Sequence, residues 1–332
     1  MSSTSDADAI ASYESIVVNN YCVLAASVFL LYEYIITIDR EVNLFWQGAS
    51  IWVSALFLSN RYISFVNNAL AVIEFAHISD ESCASMAKGL AVFSFVNYLP
   101  WAIFSGLRAY ALCRGIILSI FIFLLALAPI PINTARFSFN LTGVNDPQWG
   151  CFAEDSIPPS LGLKFVIISR TGLIISDTLL IGLTWWALPK NTISFTTLRK
   201  VGVSLTTVLL RDGTLYFGVL LIMNVLHLAF SLSSMFGFTD NGASNITAFT
   251  EVVTAVLVSR FLLNLQESNK AAVKGMSSVD QLSTVSEGRT LSFARVMDSL
   301  GESIGPGLPE ADTSSSTDVT DDAKPESVEL SC

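Results

Sequence analysis

Apolar residues fall along this chain in long unbroken runs, not in the narrow stripes or strict alternation of a water-soluble domain. A helix rises about 1.5 Å per residue, so about 20 predominantly apolar residues cross a hydrocarbon core of about 30 Å. Seven segments are of that kind: Ile16–Ile38, Phe45–Val66, Gly89–Leu107, Gly115–Ile132, Leu163–Leu188, Thr214–Phe236 and Ile246–Leu265. The second is interrupted by Asn60, Arg61 and Tyr62, and its helix can continue past Asn68 toward Phe75. The fourth is the shortest and is predicted to end at Pro129 and Pro131, each of which lacks the backbone donor a continuing helix needs. The predicted fold class is all-α, a polytopic membrane protein with seven transmembrane helices.

Composition sharpens this. The 332 residues are 52% hydrophobic and 14% charged, against about 25% charged in a soluble domain; the mean hydropathy is +0.57. The net charge of −10 is concentrated after residue 266, where Ser, Thr, Asp, Glu and Gly dominate and aromatics are few. Such a stretch buries too little apolar surface to offset its ordering entropy. Three regions follow: an outer N-terminal tail over 1–15, a transmembrane domain over 16–266, and a disordered, acidic, Ser/Thr-rich cytosolic tail over 267–332. Within that tail, Phe293, Val296, Met297 and Leu300 recur at helical spacing, which suits a short partner- or membrane-binding helix or a fluctuating turn. The first 15 residues are acidic, unlike a signal peptide's basic start, so the first apolar run is expected to remain in the mature chain. The bilayer is the expected partner. Nucleic acid is not, because no basic stripe exists.

Cytoplasmic loops carry the excess of Lys and Arg. With the N-terminus outside, the inner segments hold Arg40, Arg108, Arg114, Lys190, Arg199, Lys200, Arg211, Lys270 and Lys274, and the outer ones Lys88, Arg136 and Lys164. The expected location is therefore a plasma or secretory-pathway membrane, N-terminus outside and C-terminus cytosolic. Two glycosylation sequons, at Asn140 and Asn245, fall on the outer side. So do Cys83, just before the third span, and Cys151, in the long outer loop. A disulfide is predicted between them, because that compartment permits one while Cys22 lies in a span and Cys113 faces the cytosol.

Ionisable groups within spans cost about 2.5–3.5 kcal/mol on insertion scales and normally face the bundle interior. Glu33, Arg61, Asp177 and Glu251 are the main ones; Arg170, Arg211, Asp212 and Arg260 lie nearer span ends, within snorkelling reach of the headgroups. Helical spacing places Arg170 with Asp177, Thr247 with Glu251 and Thr254, and Asn224 with His227 and Ser231. These stripes fit a ligand pocket or ion path, or else interhelical hydrogen bonds of about 0.6 kcal/mol each. Arg61 and Glu251 are placed to neutralise each other.

Other chemistries lack their residues. The last span has no Schiff-base lysine for retinal, and His77 and His227 are the only histidines, too few for a multi-histidine zinc site. Phosphate-binding and dinucleotide motifs are missing from the sequence. Neither enzymatic activity nor a cofactor is expected.

The segments Tyr32–Val42 (YEYIITIDREV), Leu56–Tyr62 (LFLSNRY), Leu107–Leu112 (LRAYAL), Leu210–Phe217 (LRDGTLYF) and Ser259–Leu265 (SRFLLNL) resemble the recurring motifs of basidiomycete fungal seven-span proteins classed only as a domain of unknown function. The resemblance covers about residues 15–267 and implies fold and topology, with no activity to carry over. In these motifs Asp39, Arg40 and Glu41 can pair locally at the first inner turn, and Arg211 and Asp212 offer the same anchor at the start of the sixth span. Topogenic anchoring and a charge network that opens on switching are the two readings. The layout is similar to G-protein-coupled receptors, without their Asp/Glu-Arg-Tyr and Asn-Pro-x-x-Tyr motifs. The expectation is a receptor or sensor-like seven-helix protein with an outer-face ligand and a cytosolic signalling partner, whose tail is phosphorylated at sites such as Ser292. A transporter or channel with a polar path through the bundle is the alternative.

Overall fold

The computed structural model describes residues 2–46, 50–76, 78–146, 150–191, 205–235 and 245–279. The chain is mostly helical: α1 (Ser2–Glu41), α2 (Ile51–Ile73), α3 (Asp80–Cys113), α4 (Ile116–Leu127), α5 (Pro129–Thr134), α6 (Pro159–Asn191), α7 (Leu205–Met235) and α8 (Asn245–Val279). The helices form a closed ring in which each long helix packs on its sequence neighbours, α4 on α6, and α8 back on α1 and α2. Among the described residues, six helical segments are long and apolar enough to cross a membrane: Ile16–Trp46, Asp80–Cys113, Ile116–Phe139, Ser160–Trp186, Gly213–Ser233 and Ile246–Lys270. The protein is a multi-pass integral membrane protein.

α2 is not among the six because its polar residues dilute its apolar character, yet those residues are turned inward. Asn60, Arg61, Ser64 and Asn67 are all buried, while Ile51, Trp52, Tyr62, Phe65 and Ile73 are exposed. The second helix is predicted to begin at Phe45; it begins at Ile51. Val42–Trp46 instead form a π-helical turn that folds Phe45 under α2, where its ring stacks on Phe57 with centroids 4.0 Å apart.

Local signals account for several boundaries. Ser79 caps α3 by accepting a hydrogen bond from the Ser82 N–H, and Asp80 and Glu81 lie in the first turn, where the helix dipole favours negative charge. At its other end Arg114 adopts the left-handed conformation (φ 53°), and α4 starts after Gly115. Pro129 does not end the helical path as expected. It takes the first position of α5, where its missing N–H is no loss, and a 3-10 turn over Ala135–Phe139 extends the segment further. α1 starts well before Ile16, and α8 runs past Leu265 to Val279.

The expectation of an all-α fold needs one correction. The loop before α6 holds an antiparallel hairpin, β1 (Thr142–Asp146) paired with β2 (Gly150–Glu154) in the register Thr142↔Glu154 to Asp146↔Gly150. It sits on the ends of α2 and α3: the Cys151 N–H donates to the Glu74 carbonyl over 2.9 Å, and the Asn145 amide donates to the Ile78 carbonyl. Gly150 has φ +87°, and a Cβ there would strike the Glu74 carbonyl. The predicted Cys83–Cys151 disulfide is present, with a Cα–Cα distance of 5.6 Å and both cysteines buried. The hairpin marks one end of the bundle, and the α1–α2 turn marks the far end.

Candidate functional site

Charged side chains inside the bundle cluster toward its two ends, with the buried polar residues Asn60, Ser64 and Asn67 of α2 lying between them. Toward the hairpin end, α3, α6, α7 and α8 enclose a cavity of about 40 Å³, with space for roughly three waters. Its polar lining comprises Tyr98, Ser105, Arg170, Asp177, Asn224, Thr250, Glu251 and Thr254, and Trp101, Phe104 and Phe217 supply aromatic walls. The stripes predicted from helical spacing thus converge: Arg170 and Asp177 lie two turns apart on α6, Asn224 faces them from α7 and Glu251 from α8. Asn224 bridges the α6 pair, donating to Asp177 Oδ2 over 3.0 Å and accepting from Arg170 Nη1 over 3.3 Å. Glu251 Oε2 accepts from Asn67 Nδ2 at 3.3 Å, and Asn67 Oδ1 in turn accepts from Ser94 at 2.9 Å. Arg170 is within electrostatic reach of Glu251 and Tyr98. Neither carboxylate forms an ion pair within 4 Å among the described residues. His227 stands beside this group and not in the lining; its Nδ1 is 3.2 Å from Thr247 Oγ1.

Below the cavity the rings close together. Phe104 lies parallel to Phe217 at 5.9 Å and edge-on to Phe261 at 5.2 Å. One turn further along α3, the fully buried Arg108 places its guanidinium carbon 4.5 Å from the Phe217 centroid and 5.2 Å from that of Phe261. It also bonds Thr184 Oγ1 at 3.3 Å. Gly213 makes room for this guanidinium, because any Cβ there would overlap it.

At the far end, charges are paired between helices. Arg61 does not meet Glu251 as the sequence suggests. Its Nε donates to Glu41 over 2.7 Å, Nη1 to Thr37 Oγ1 and Nη2 to the Tyr34 carbonyl, and the guanidinium lies 4.1 Å over the Tyr34 ring. Glu41 also accepts from Tyr62 and Trp46. A buried pair so fully bonded is held tightly, and removing one partner leaves an uncompensated ion. Glu33 accepts two bonds from Arg260, each 2.8 Å. Arg40 reaches Glu267 at 2.6 Å and Asn264 at 2.9 Å. The expected local pairing within Asp39, Arg40 and Glu41 therefore does not form: Arg40 and Glu41 pair across helices and Asp39 is exposed. A helix projects successive residues about 100° apart, so neighbours in sequence face different partners.

Arg211 and Asp212 fall in α7, with side chains outside the described residues, as is that of Asn245 at the start of α8; Ser292 and the tail after Val279 lie outside them too. Asn140 is exposed at the hairpin end. Sequence reasoning ranked Arg170 and Arg260 below the mid-span charges and missed Arg108. It also took Asn60 as an interruption, although Asn60, Ser64 and Asn67 share one helical face. In the structure Asn60 donates to the Ala255 carbonyl and Ser259 and accepts from Trp101, and Ser64 donates to Asn97.

Residues 21–66, spanning much of α1 and α2 with the turn between them, match a family of unknown function, DUF6533. That stretch contains Glu33, Arg40, Glu41 and Arg61 and the two motifs Tyr32–Val42 and Leu56–Tyr62. It is shorter than the expected resemblance over 15–267. No curated protein matches the chain.

Proposed function

We propose that this protein is a seven-helix receptor or sensor, in which a ligand in the hairpin-end cavity biases how α8 packs against α1 and α2. The observation that carries the reading is the shared helix. Glu251 of α8 lines the cavity, while Arg260, Asn264 and Glu267 of the same helix hold the far-end contacts to α1. A ligand that prefers one position of α8 shifts the far end by its differential affinity for the two positions.

Counting α2 as the seventh span is supported by its inward polar and outward apolar faces, the arrangement expected of a helix whose solvent is lipid. With seven spans the basic residues put the hairpin end outside and the tail in the cytosol. Exposed Asn140 then lies on the glycosylated side, and the tail, including Ser292, is reachable by kinases and signalling partners. The motif resemblance points to a basidiomycete seven-span family. The phenylalanine layer of Phe104, Phe217 and Phe261 weighs against a transport path straight through the centre of the ring.

The test uses full-length protein in nanodiscs, first screened for thermal stabilisation by lipids, sterols, peptides and small solutes, because specific binding stabilises the folded state by mass action. Spin labels introduced by Asp39→Cys and Ser268→Cys then report the α1–α8 distance. A stabilising ligand that changes this distance, and fails to act on Glu251→Gln, supports the sensor. Stabilisation without a distance change, accompanied by solute flux in liposomes, replaces it with the transporter.

A further inference from the structure

We propose that the hairpin-end cavity binds one monovalent cation, an alkali-metal ion or the ammonium group of a small amine, through Asp177 and Glu251. The proposal deepens the sensor reading above and rests on it for the cavity's role, but it stands on a separate observation, the charge count inside the cavity. Two carboxylates and one guanidinium line it. With all three ionised the cavity carries one uncompensated negative charge in a low-dielectric interior, which is costly unless a counter-charge enters.

The bonding pattern says where that charge belongs. Asp177 lines the cavity and is only 6% exposed, and its one side-chain partner among the described residues is the Asn224 amide on Oδ2, leaving Oδ1 without a side-chain hydrogen bond. Glu251 likewise lines the cavity and has, among the described residues, only the Asn67 amide on Oε2 as a side-chain hydrogen-bond partner. Arg170 bonds Asn224 and comes within 4 Å of neither carboxylate, reaching Glu251 only through space. The buried acids Glu33 and Glu41 each have an arginine within 2.8 Å, whereas Asp177 and Glu251, two acids on one cavity, have none within 4 Å among the described residues. The alkali ions and a primary ammonium share the needed chemistry: a compact single positive charge that accepts several oxygen ligands and fits a space of about 40 Å³. The hydroxyls of Thr250 and Thr254 on α8 offer neutral oxygens beside Glu251.

The experiment measures thermal unfolding of the purified full-length protein at constant ionic strength and pH in chlorides of sodium, potassium, methylammonium and the bulky cation N-methylglucamine. In wild type, sodium or potassium (the metal-ion source) or methylammonium (the amine source) is expected to raise the transition by roughly 3 °C or more over N-methylglucamine. Asp177→Asn and Glu251→Gln keep the side-chain shape and remove the excess charge. Both are expected to lose the cation response and, in N-methylglucamine, to melt no lower than wild type, which also shows that they fold. Arg260→Lys, far from the cavity, should keep the response. Equal transitions of wild type in all four salts overturn the proposal, as does a cation response unchanged in both variants, which would be a surface salt effect. A transition insensitive to cation but rising as pH falls in a Glu74→Gln background, where the hairpin-seat carboxyl no longer titrates, assigns the balancing charge to a proton and also overturns it. A cation response with no change in the α1–α8 distance leaves this site standing and removes the sensor reading; a distance change driven by another ligand, with no cation response, does the reverse.

Discussion

The two ends of α8 sit in opposite electrostatic settings. Toward the far end its Arg260 and Glu267 each meet an opposite charge on α1 at 2.8 Å or less, and the neighbouring Arg61–Glu41 pair is closed on all sides by Thr37, Tyr34, Tyr62 and Trp46. Toward the hairpin its Glu251 faces a cavity with, among the described residues, one amide donor and no ion pair. The difference separates charges kept for assembly from charges kept open. A satisfied pair holds helices in register; an open one has interaction energy left for something else to use.

The largest expected effect lies in the closed half. Arg61→Ala strands Glu41 in the interior and is expected to cost about 3–5 kcal/mol, whereas replacing Arg61 and Glu41 together by Met and Leu should recover most of that loss. Unfolding midpoints in detergent measure both. If the single and double variants are equally unstable, the pair is not what holds α1 to α2, and the contrast between the halves fails at its stronger side. The hairpin tether comes next. Cys83→Ser and Cys151→Ser are expected to lose about 2–4 kcal/mol, with limited proteolysis cutting first between β1 and β2. Cleavage elsewhere would mean that the Gly150 seat and the Asn145–Ile78 bond hold the hairpin unaided.

A smaller effect is expected at Arg260, whose side chain is 44% exposed although its carboxylate partner is buried. Arg260→Gln should cost about 1 kcal/mol, near the upper range of interhelical hydrogen bonds in membranes. A loss as large as that of Arg61→Ala would place Glu33 in as dry a setting as Glu41 and make the closed half more uniform than its exposures indicate.

How much of this was legible beforehand differs between the halves for a physical reason. Helix periodicity is a local property, and it placed Arg170 with Asp177, and Glu251 with Thr254, on the faces that line the cavity. Pairing between helices is not local. Nothing in the sequence separates Glu41 from Glu251 as the partner of Arg61, because that choice depends on depth and rotation in the packed ring. The hairpin was missed because ten short-strand residues carry little hydrophobic signal, although Asn145, Asp146, Pro147 and Gly150 form a recognisable turn cluster. The Cys83–Cys151 disulfide was legible because both cysteines fall at the hairpin end; Cys113, expected as a cytosol-facing thiol, is itself disulfide-bonded, so compartment alone misjudged it. Hydropathy alone rates α2 poorly for the same reason that its role is interior: polar residues turned inward lower the average without touching lipid.

The smallest expected effect tests whether open charge is confined to the cavity. Glu74 lies one residue beyond α2, under the hairpin, where its carbonyl accepts the Cys151 N–H. Its Oε1 is buried with no hydrogen-bond partner among the described residues, and burial pushes its carboxyl up to about 7. Between the ordinary carboxylate range and pH 7 the folded chain keeps a proton that the unfolded chain has released, so stability falls as pH rises through that window and levels off above it. Glu74→Gln should flatten this slope in the unfolding midpoint between pH 5 and about 8 while leaving the Arg61 and Arg260 effects unchanged. If wild type is flat across that range, Glu74 is neutralised or solvated in its seat, and open carboxylates are peculiar to the cavity; if the slope is present and Glu74→Gln does not remove it, the titrating group lies in the cavity itself, and the two carboxylates there are its first suspects.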